Sequence, residues 1–376
     1  EQLRRLGLRV VLYFVGTTSL AITIGLAVAQ TIKPGRFVDS ATVQSALGSV
    51  AAKAPAAAPA TPSLGELPQK VLTLLPTNPL SSMVQAEMLG IVIFAVVVGV
   101  ALVMMAPQQS RPLLDLMGSL QQVCMTVVQW AMRLAPYAVF GLLAQLTAKI
   151  GLDALLGMAL YVVTVLSGLL LLFIAQLLIA RFVAGRSPLE FLRAVREVLL
   201  LAFSTSSSAA VMPVSIRTAE EGLRVRPSVS QFIIPIGATI NMDGTALYQG
   251  VAALFLAQVF GVDIGLAGML LIVVTAVGAS IGTPATPGVG IVILSMVLTT
   301  VNVPAAGIAL IMGVDRILDM SRTAINVNGD LVASTVMDRW VGGERTYQEE
   351  MADEEAHERL RAETGQDIVV RGPGAG

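Results

Sequence analysis

Five residues near the end of the chain, Asp315, Asp319, Arg322, Asn326 and Asp330, follow one another at separations of four, three, four and four. On a helix of 3.6 residues per turn this spacing draws one polar stripe. In lipid each ionisable group at mid-depth costs about 2.5–3.5 kcal/mol on insertion scales, so a stripe of them is retained for a pathway or for mutual pairing. Arg322 presents a planar fork that pairs bidentately with a carboxylate, a geometry lysine does not reproduce. The stripe is therefore suited to holding a carboxylate-bearing solute. The alternative is a self-neutralising ion-pair network that only joins helices.

Two further segments carry polar groups in apolar surroundings. The run Ser204-Thr205-Ser206-Ser207-Ser208 supplies hydroxyl and backbone groups, although serines in apolar helices commonly bond back to their own backbone. A hydrolase built on one of them would need a base. The single histidine, His357, lies in the polar tail and no lysine follows Lys149, so the chain is read as no enzyme. In Asn241-Met242-Asp243-Gly244-Thr245, amide, carboxylate and hydroxyl oxygens gather around a glycine.

These segments need elements that place them at membrane depth. The composition provides them: 55% of residues are hydrophobic, 13% are charged, and the mean hydropathy is +0.78. Between Arg226 and Asp315 the only charged side chains are Asp243 and Asp263, and Ala154–Ala180 carries none, so several stretches exceed the ~20 apolar residues that cross a bilayer. Leu6–Ala29 is too long for a signal-peptide core and reads as a spanning helix that stops at Lys33-Pro34-Gly35. Ala41–Pro68 is low-complexity and reads as a mobile external loop. Helices are expected over Met88–Met105, over Leu113–Leu146 with a break near Pro136, and over Leu155–Ile179. The chain opens at Glu1-Gln2-Leu3-Arg4-Arg5 without an initiator Met, and helices upstream are expected.

Arginines at 4, 5, 9, 111, 181, 186, 193, 196, 217, 224 and 226 mark one side, read as cytoplasmic. Pro188–Arg217 then starts and ends on that side with the serine run at its middle. Gly265–Val303 does the same from outside, broken at Gly282-Thr283-Pro284-Ala285-Thr286-Pro287-Gly288. Prolines stop helix from healing across this tip, and glycines let backbone approach a ligand. Non-helical backbone survives at this depth only where protein or a water-filled cavity satisfies it. The predicted fold class is an all-α membrane protein: spanning helices plus two re-entrant helical hairpins forming inverted repeats around a midplane site. Nothing supports nucleic-acid binding, and one cysteine, Cys124, excludes an internal disulfide.

The serine run, the NMDGT string within GATINMDGTALYQG, and the Asp, Asp, Arg, Thr, Asn, Asp order from Asp315 to Asp330 resemble the dicarboxylate/amino acid:cation symporter family, which includes glutamate transporters. The resemblance covers nearly the whole chain. It implies secondary active uptake of an acidic amino acid, aspartate or glutamate, coupled to co-transported Na+, in a homotrimer embedded in the cell's plasma membrane. Proton coupling or a C4-dicarboxylate substrate is the alternative, and an anion leak is compatible with either.

By that resemblance Arg322 reads the substrate's side-chain carboxylate, Asp319 receives its ammonium, Asn326 contacts its α-carboxylate and Thr323 supports the site. Ser207, Ser208, Thr245 and Gly288 complete the substrate contacts. One cation site matches Asp330, Asn326, Asn241 and the carbonyl of Gly237. A deeper one matches Asp243, Asn241, Thr17 and Thr18, with Phe14 where some relatives have tyrosine. A third matches Thr239 with the carbonyls around Ser280, Ile281 and Thr283. Ser206 stands where some prokaryotic relatives carry an arginine, and Arg316 is available to balance Asp315 or Asp319. Gln249 stands where some animal relatives have a proton-carrying glutamate.

The family's organisation divides the chain into a first spanning helix (1–34) of the transport domain, mainly scaffold and trimer helices (35–186, with an external loop at 35–85), the transport core (187–340) and a polar cytoplasmic tail (341–376).

Overall fold

A long apolar chain in lipid must satisfy its backbone polar groups within itself, and helices do so locally. The computed structural model describes residues 2–38, 78–84, 88–150, 152–280, 287–341, 347–349 and 351–352, and among them there is no strand. The helices are α1 (Gln2–Ile32), α2 (Pro79–Val84), α3 (Met88–Met104), α4 (Pro107–Ile150), α5 (Leu152–Phe182), α6 (Pro188–Thr205), α7 (Ser208–Arg217), α8 (Pro227–Ile240), α9 (Asp243–Phe260), α10 (Leu266–Ser280), α11 (Val289–Thr300) and α12 (Ile308–Val341). The all-α expectation agrees. The external-loop reading of 41–68 lies outside the described residues.

Prolines and polar caps set the boundaries. Pro188 and Pro227 open α6 and α8 at their first turn, where a missing N–H costs nothing. Between α6 and α7, Ser206 adopts a left-handed conformation (φ 53°), and the Ser207 side chain accepts the Ala210 N–H at 3.2 Å to cap α7. The NMDGT string divides α8 from α9 at Asn241 and Met242. Gly288 starts α11 at φ 81°, a conformation that costs a side-chain-bearing residue energy. The expected break at Pro136 is absent: α4 runs unbroken through it, since a proline in a membrane helix is tolerated when neighbouring groups take up the freed carbonyl.

The packed interior consists of two apolar clusters. One joins Ala21–Ala29 of α1, Tyr161–Leu172 of α5, the body of α9, faces of α10 and α11, and Leu310, Ile311 and Leu318 of α12. The other joins Val10 and Phe14 of α1, Ala180 of α5, faces of α6, α7 and α8, and Val327–Met337 of α12. α12, with 34 residues and a length of about 51 Å, runs through both. Where it passes between them it carries Asp319, Arg322, Thr323 and Asn326, all buried.

The helices within 35–186 pack in two ways. α5 falls within 35–186, yet it packs on α1, α9 and α12, and Tyr161, Val165 and Leu172 are core residues. α3 and α4 instead leave large apolar side chains uncovered, among them Val103, Val123, Trp130, Tyr137 and Phe140. A patch of that extent demands lipid or a partner. Arg9–Phe37 and Met158–Phe182 are long and apolar enough to cross a membrane.

One end is fastened by polar contacts. Arg226 Nε donates to Asp338 Oδ1 at 2.7 Å and its Nη2 to the Asp338 carbonyl at 2.9 Å, Arg9 reaches the Trp340 carbonyl, and Tyr347 reaches the Glu220 carbonyl. The Arg226 and Asp338 side chains are only 10% and 20% exposed. Asp338→Ala, which strands a largely buried guanidinium, is expected to cost about 3 kcal/mol. Thermal unfolding of the purified protein in detergent checks this, against Asp115→Ala at an exposed pair as the neutral control.

Candidate functional site

The polar layer between the two clusters is built on α12 and separates into two electrostatic parts. In the first, Arg322 is 1% exposed and donates from Nε and Nη2 to Asp319 Oδ1 (3.1 and 2.8 Å) and from Nη1 to Asp315 Oδ1 (3.2 Å). Arg316 Nη1 stands 3.8 Å from Asp319 Oδ2. These four residues sum to zero charge. Tyr248 of α9 lies beneath the guanidinium, its ring centroid 4.3 Å from Arg322 Cζ, a cation–π contact in a desolvated place. Of its five N–H donors, Arg322 spends three on its own helix, so two are left for a ligand carboxylate.

The start of α11 meets this quartet. The Gly288 N–H donates to Asp319 Oδ2 at 3.1 Å, and Gly290 lies so close that a Cβ there would fall 2.7–2.8 Å from the guanidinium. Gly288, Asp319 and Arg322 are therefore brought together. Thr323 is buried beside them, its hydroxyl on the Asp319 carbonyl at 2.8 Å. Ser207 and Ser208 are buried at the α6–α7 break, and Ser204 bonds back to the Leu201 carbonyl. Ser206 Oγ is buried without a hydrogen-bond partner among the described residues.

Asn326 ties α12 to the broken helix. Its Oδ1 accepts the Gly244 N–H at 2.7 Å, and its Nδ2 reaches Thr245 Oγ1 at 3.2 Å and Met242 Sδ at 3.3 Å. Thr245 thus sits beside the stripe.

The second electrostatic part has two carboxylates and no cation. Asn241 Nδ2 donates to Asp330 Oδ1 at 2.9 Å, and Gly237 carries no Cβ where one would collide with that oxygen. Asp243 Oδ1 accepts from Thr18 (2.8 Å) and Thr17 (3.3 Å), and its Oδ2 lies 3.5 Å from Gln176 Nε2. Asp243 and Asp330 are 1% and 2% exposed, and neither has a cationic partner within 4 Å among the described residues. Asn241 Oδ1 is buried with no donor. Two desolvated carboxylates, two hydroxyls and an amide oxygen without a donor among the described residues are the kind of donor set that suits a hard cation.

Of the third expected cation set, only Thr239 and Ser280 lie among the described residues. Thr239 is exposed, its hydroxyl turned onto the Ile236 carbonyl at 2.9 Å, and Ser280 is buried with its hydroxyl on the Ala276 carbonyl. Ile281 and Thr283 lie outside the described residues. Three participants escaped the sequence reading: Tyr248, which sits within the family string GATINMDGTALYQG, and Gln176 and Asn328. Asn328 lies two residues beyond Asn326, off the stripe, yet its Nδ2 donates to Gln176 Oε1 at 2.9 Å.

With this geometry established, comparison with known proteins gives consistent matches. A family model for the sodium:dicarboxylate symporter family matches residues 1–340. The chain is 35% identical over 342 residues to the proton/sodium-glutamate symport protein of Bacillus subtilis (strain 168), covering 91% of this chain and 78% of that one. It is 35% identical over 341 residues to the proton/glutamate-aspartate symporter of Escherichia coli (strain K12), covering 90% and 77%. It is 33% identical over 346 residues to the C4-dicarboxylate transport protein of Rhodospirillum rubrum, covering 91% and 75%.

Because Arg322 is held by two carboxylates and a ring, a methyl group 2.7–2.8 Å away moves it only by breaking those contacts. Gly290→Ala is expected to displace the guanidinium and weaken binding of an acidic ligand by at least tenfold while leaving the protein folded. Calorimetric titration with aspartate and glutamate, alongside a thermal melt, reads both.

Proposed function

The chain belongs to the sodium:dicarboxylate symporter family, and on that premise we propose that it is a secondary active symporter carrying aspartate or glutamate inward with Na+. The observation that carries this reading is the arrangement on one helix of a neutral Asp315–Asp319–Arg322–Arg316 quartet beside two buried carboxylates with no cationic partner. An acidic amino acid brings a side-chain carboxylate for Arg322 and an ammonium for Asp319, so these two groups exchange partners within the quartet, and its α-carboxylate leaves one negative charge for the co-transported cations to offset. A C4-dicarboxylate brings no ammonium, and its second carboxylate would face Asp319. Sodium ions at Asp243 and Asp330 neutralise the other half of the layer.

Asn326 is suited to the α-carboxylate, with Ser207 and Ser208 on the opposing hairpin tip. The Gly288 contact to Asp319 makes the second hairpin responsive to the substrate's ammonium, which is how binding would favour a closed gate. In this reading α6–α7 and α10–α11 are re-entrant hairpins from opposite sides of the plasma membrane, related as inverted repeats, and alternating access moves them with α1, α8, α9 and α12. The packing of α5 supports placing it in that moving unit. The uncovered apolar faces of α3 and α4 support a scaffold that meets lipid and the partner subunits of a homotrimer.

Proteoliposomes containing the protein are expected to accumulate labelled aspartate or glutamate under an imposed Na+ gradient, and much less succinate. Uptake driven by a proton gradient alone in sodium-free buffer would overturn the sodium assignment, and succinate preference would overturn the amino acid. Arg322→Cys is expected to reduce aspartate binding at least a hundredfold, about the loss that follows when a buried charge pair is broken. Undiminished affinity would show that the carboxylate binds elsewhere.

Gln249 of α9 is fully buried, and an amide does not titrate. The carrier is accordingly expected to move no proton through this position and to need no internal K+ for its return. Sodium-driven uptake with and without internal K+, alongside an internal pH dye, measures both. A K+ requirement or substrate-linked acidification would contradict the reading.

A further inference from the structure

We propose that Gln176 of α5 is an additional oxygen ligand of the cation carried at Asp243, and that Asn328 of α12 positions it. The inference rests on reading Asp243 as a cation ligand and adds an element outside that set. Gln176 is 2% exposed and Asn328 is fully buried, so both amides have been desolvated for a purpose that packing alone would fill with leucine.

Their hydrogen bonds are unequal. The bond from Asn328 Nδ2 to Gln176 Oε1 is short at 2.9 Å, whereas Gln176 Nε2 stands 3.5 Å from Asp243 Oδ2 and 3.4 Å from the Ile325 carbonyl, both near the outer limit for a hydrogen bond. Asn328 Oδ1 is buried with no donor among the described residues. The backbone has been brought in to allow the approach: a Cβ on Gly329 would lie 2.7 Å from Asn241 Nδ2, 2.9 Å from Gln176 Nε2 and 3.5 Å from Asp243 Oδ2. Three polar groups from α5, the α8–α9 break and α9 thus converge on one glycine of α12.

An amide at the end of a side chain has two orientations related by a half-turn of a soft terminal torsion. With Nε2 toward Asp243, Gln176 is a weak donor to a carboxylate. With Oε1 toward Asp243, it is repelled unless a cation lies between, in which case it becomes a ligand beside the Thr17 and Thr18 hydroxyls. The half-turn sends Nε2 toward Asn328, and a matching turn there offers Oδ1, the atom that otherwise has no donor. The amide pair therefore answers the arrival of a cation at Asp243 and passes the change to α12, two residues from Asn326.

A ligand and a structural donor give opposite signs in one substitution. Gln176→Glu keeps an acceptor for Asn328 and adds a carboxylate oxygen beside Asp243, but it removes the donor. Substrate-free Na+ binding to the purified protein, read by Na+-dependent thermal stabilisation with choline as the balancing ion, distinguishes the two. The expected results are a half-saturating Na+ concentration raised about tenfold by Gln176→Leu, raised severalfold by Asn328→Leu, and unchanged or lowered by Gln176→Glu. Melting in choline alone verifies folding of each variant. Weakened Na+ binding in Gln176→Glu, or a wild-type value in Gln176→Leu while Asp243→Asn has lost binding, overturns the inference and leaves the Asp243 site intact. Failure of the wild type to respond to Na+ overturns both.

Discussion

Charge buried between two apolar clusters is the constraint on which the rest of this structure depends. α12 carries three buried aspartates, Asp315, Asp319 and Asp330, and the buried Arg322 along the two clusters, and the start of α9 adds Asp243 from the side. No water of the bulk kind reaches these groups, so each must be compensated by a neighbour or by what the protein carries. The arginine half of the layer achieves neutrality internally. The Asp243 and Asp330 half does not, and that imbalance is the physical reason for reading the molecule as a cation-coupled carrier.

The breaks in the helices serve the same constraint. A continuous α8–α9 helix would keep its amides and carbonyls for itself, whereas the interruption at Asn241 and Met242 frees backbone and side-chain oxygens beside two carboxylates. The start of α11 brings Gly288 and Gly290 close enough for backbone to touch Asp319 and the Arg322 guanidinium. Because the substrate would exchange with contacts that α12 already makes to itself, binding need not create charge pairs from nothing. It redistributes pairs that exist, which keeps the exchange reversible as transport requires.

Much of the site was legible in the sequence because its signals are periodic or rigid. Charges at separations of three and four in an apolar segment declare a stripe, and NMDGT declares a break. Gln176 had no such signal: a lone glutamine within the uncharged run Ala154–Ala180 looks like an accident of a spanning helix, and its role exists only once α5 packs on α12. The same long-range packing sets α5 against α1, α9 and α12, which its place within 35–186 does not announce. Asn328 was hidden by lying off the stripe's spacing. The bland reading of the stripe as a self-neutralising network describes its first half well, and only the three-dimensional partners reveal that its second half is left unbalanced. Thr239 was matched by motif position, yet its hydroxyl is satisfied by its own helix, which a linear pattern does not register.

The central claim is that the unbalanced carboxylates are neutralised by sodium that binds together with the amino acid. Calorimetric titration of aspartate into the purified wild-type protein across a series of Na+ concentrations, at constant ionic strength, tests it most directly. The account predicts an affinity that rises steeply with Na+, with a slope above one on logarithmic axes, and that is lost when choline replaces Na+. An aspartate affinity independent of Na+ would contradict it.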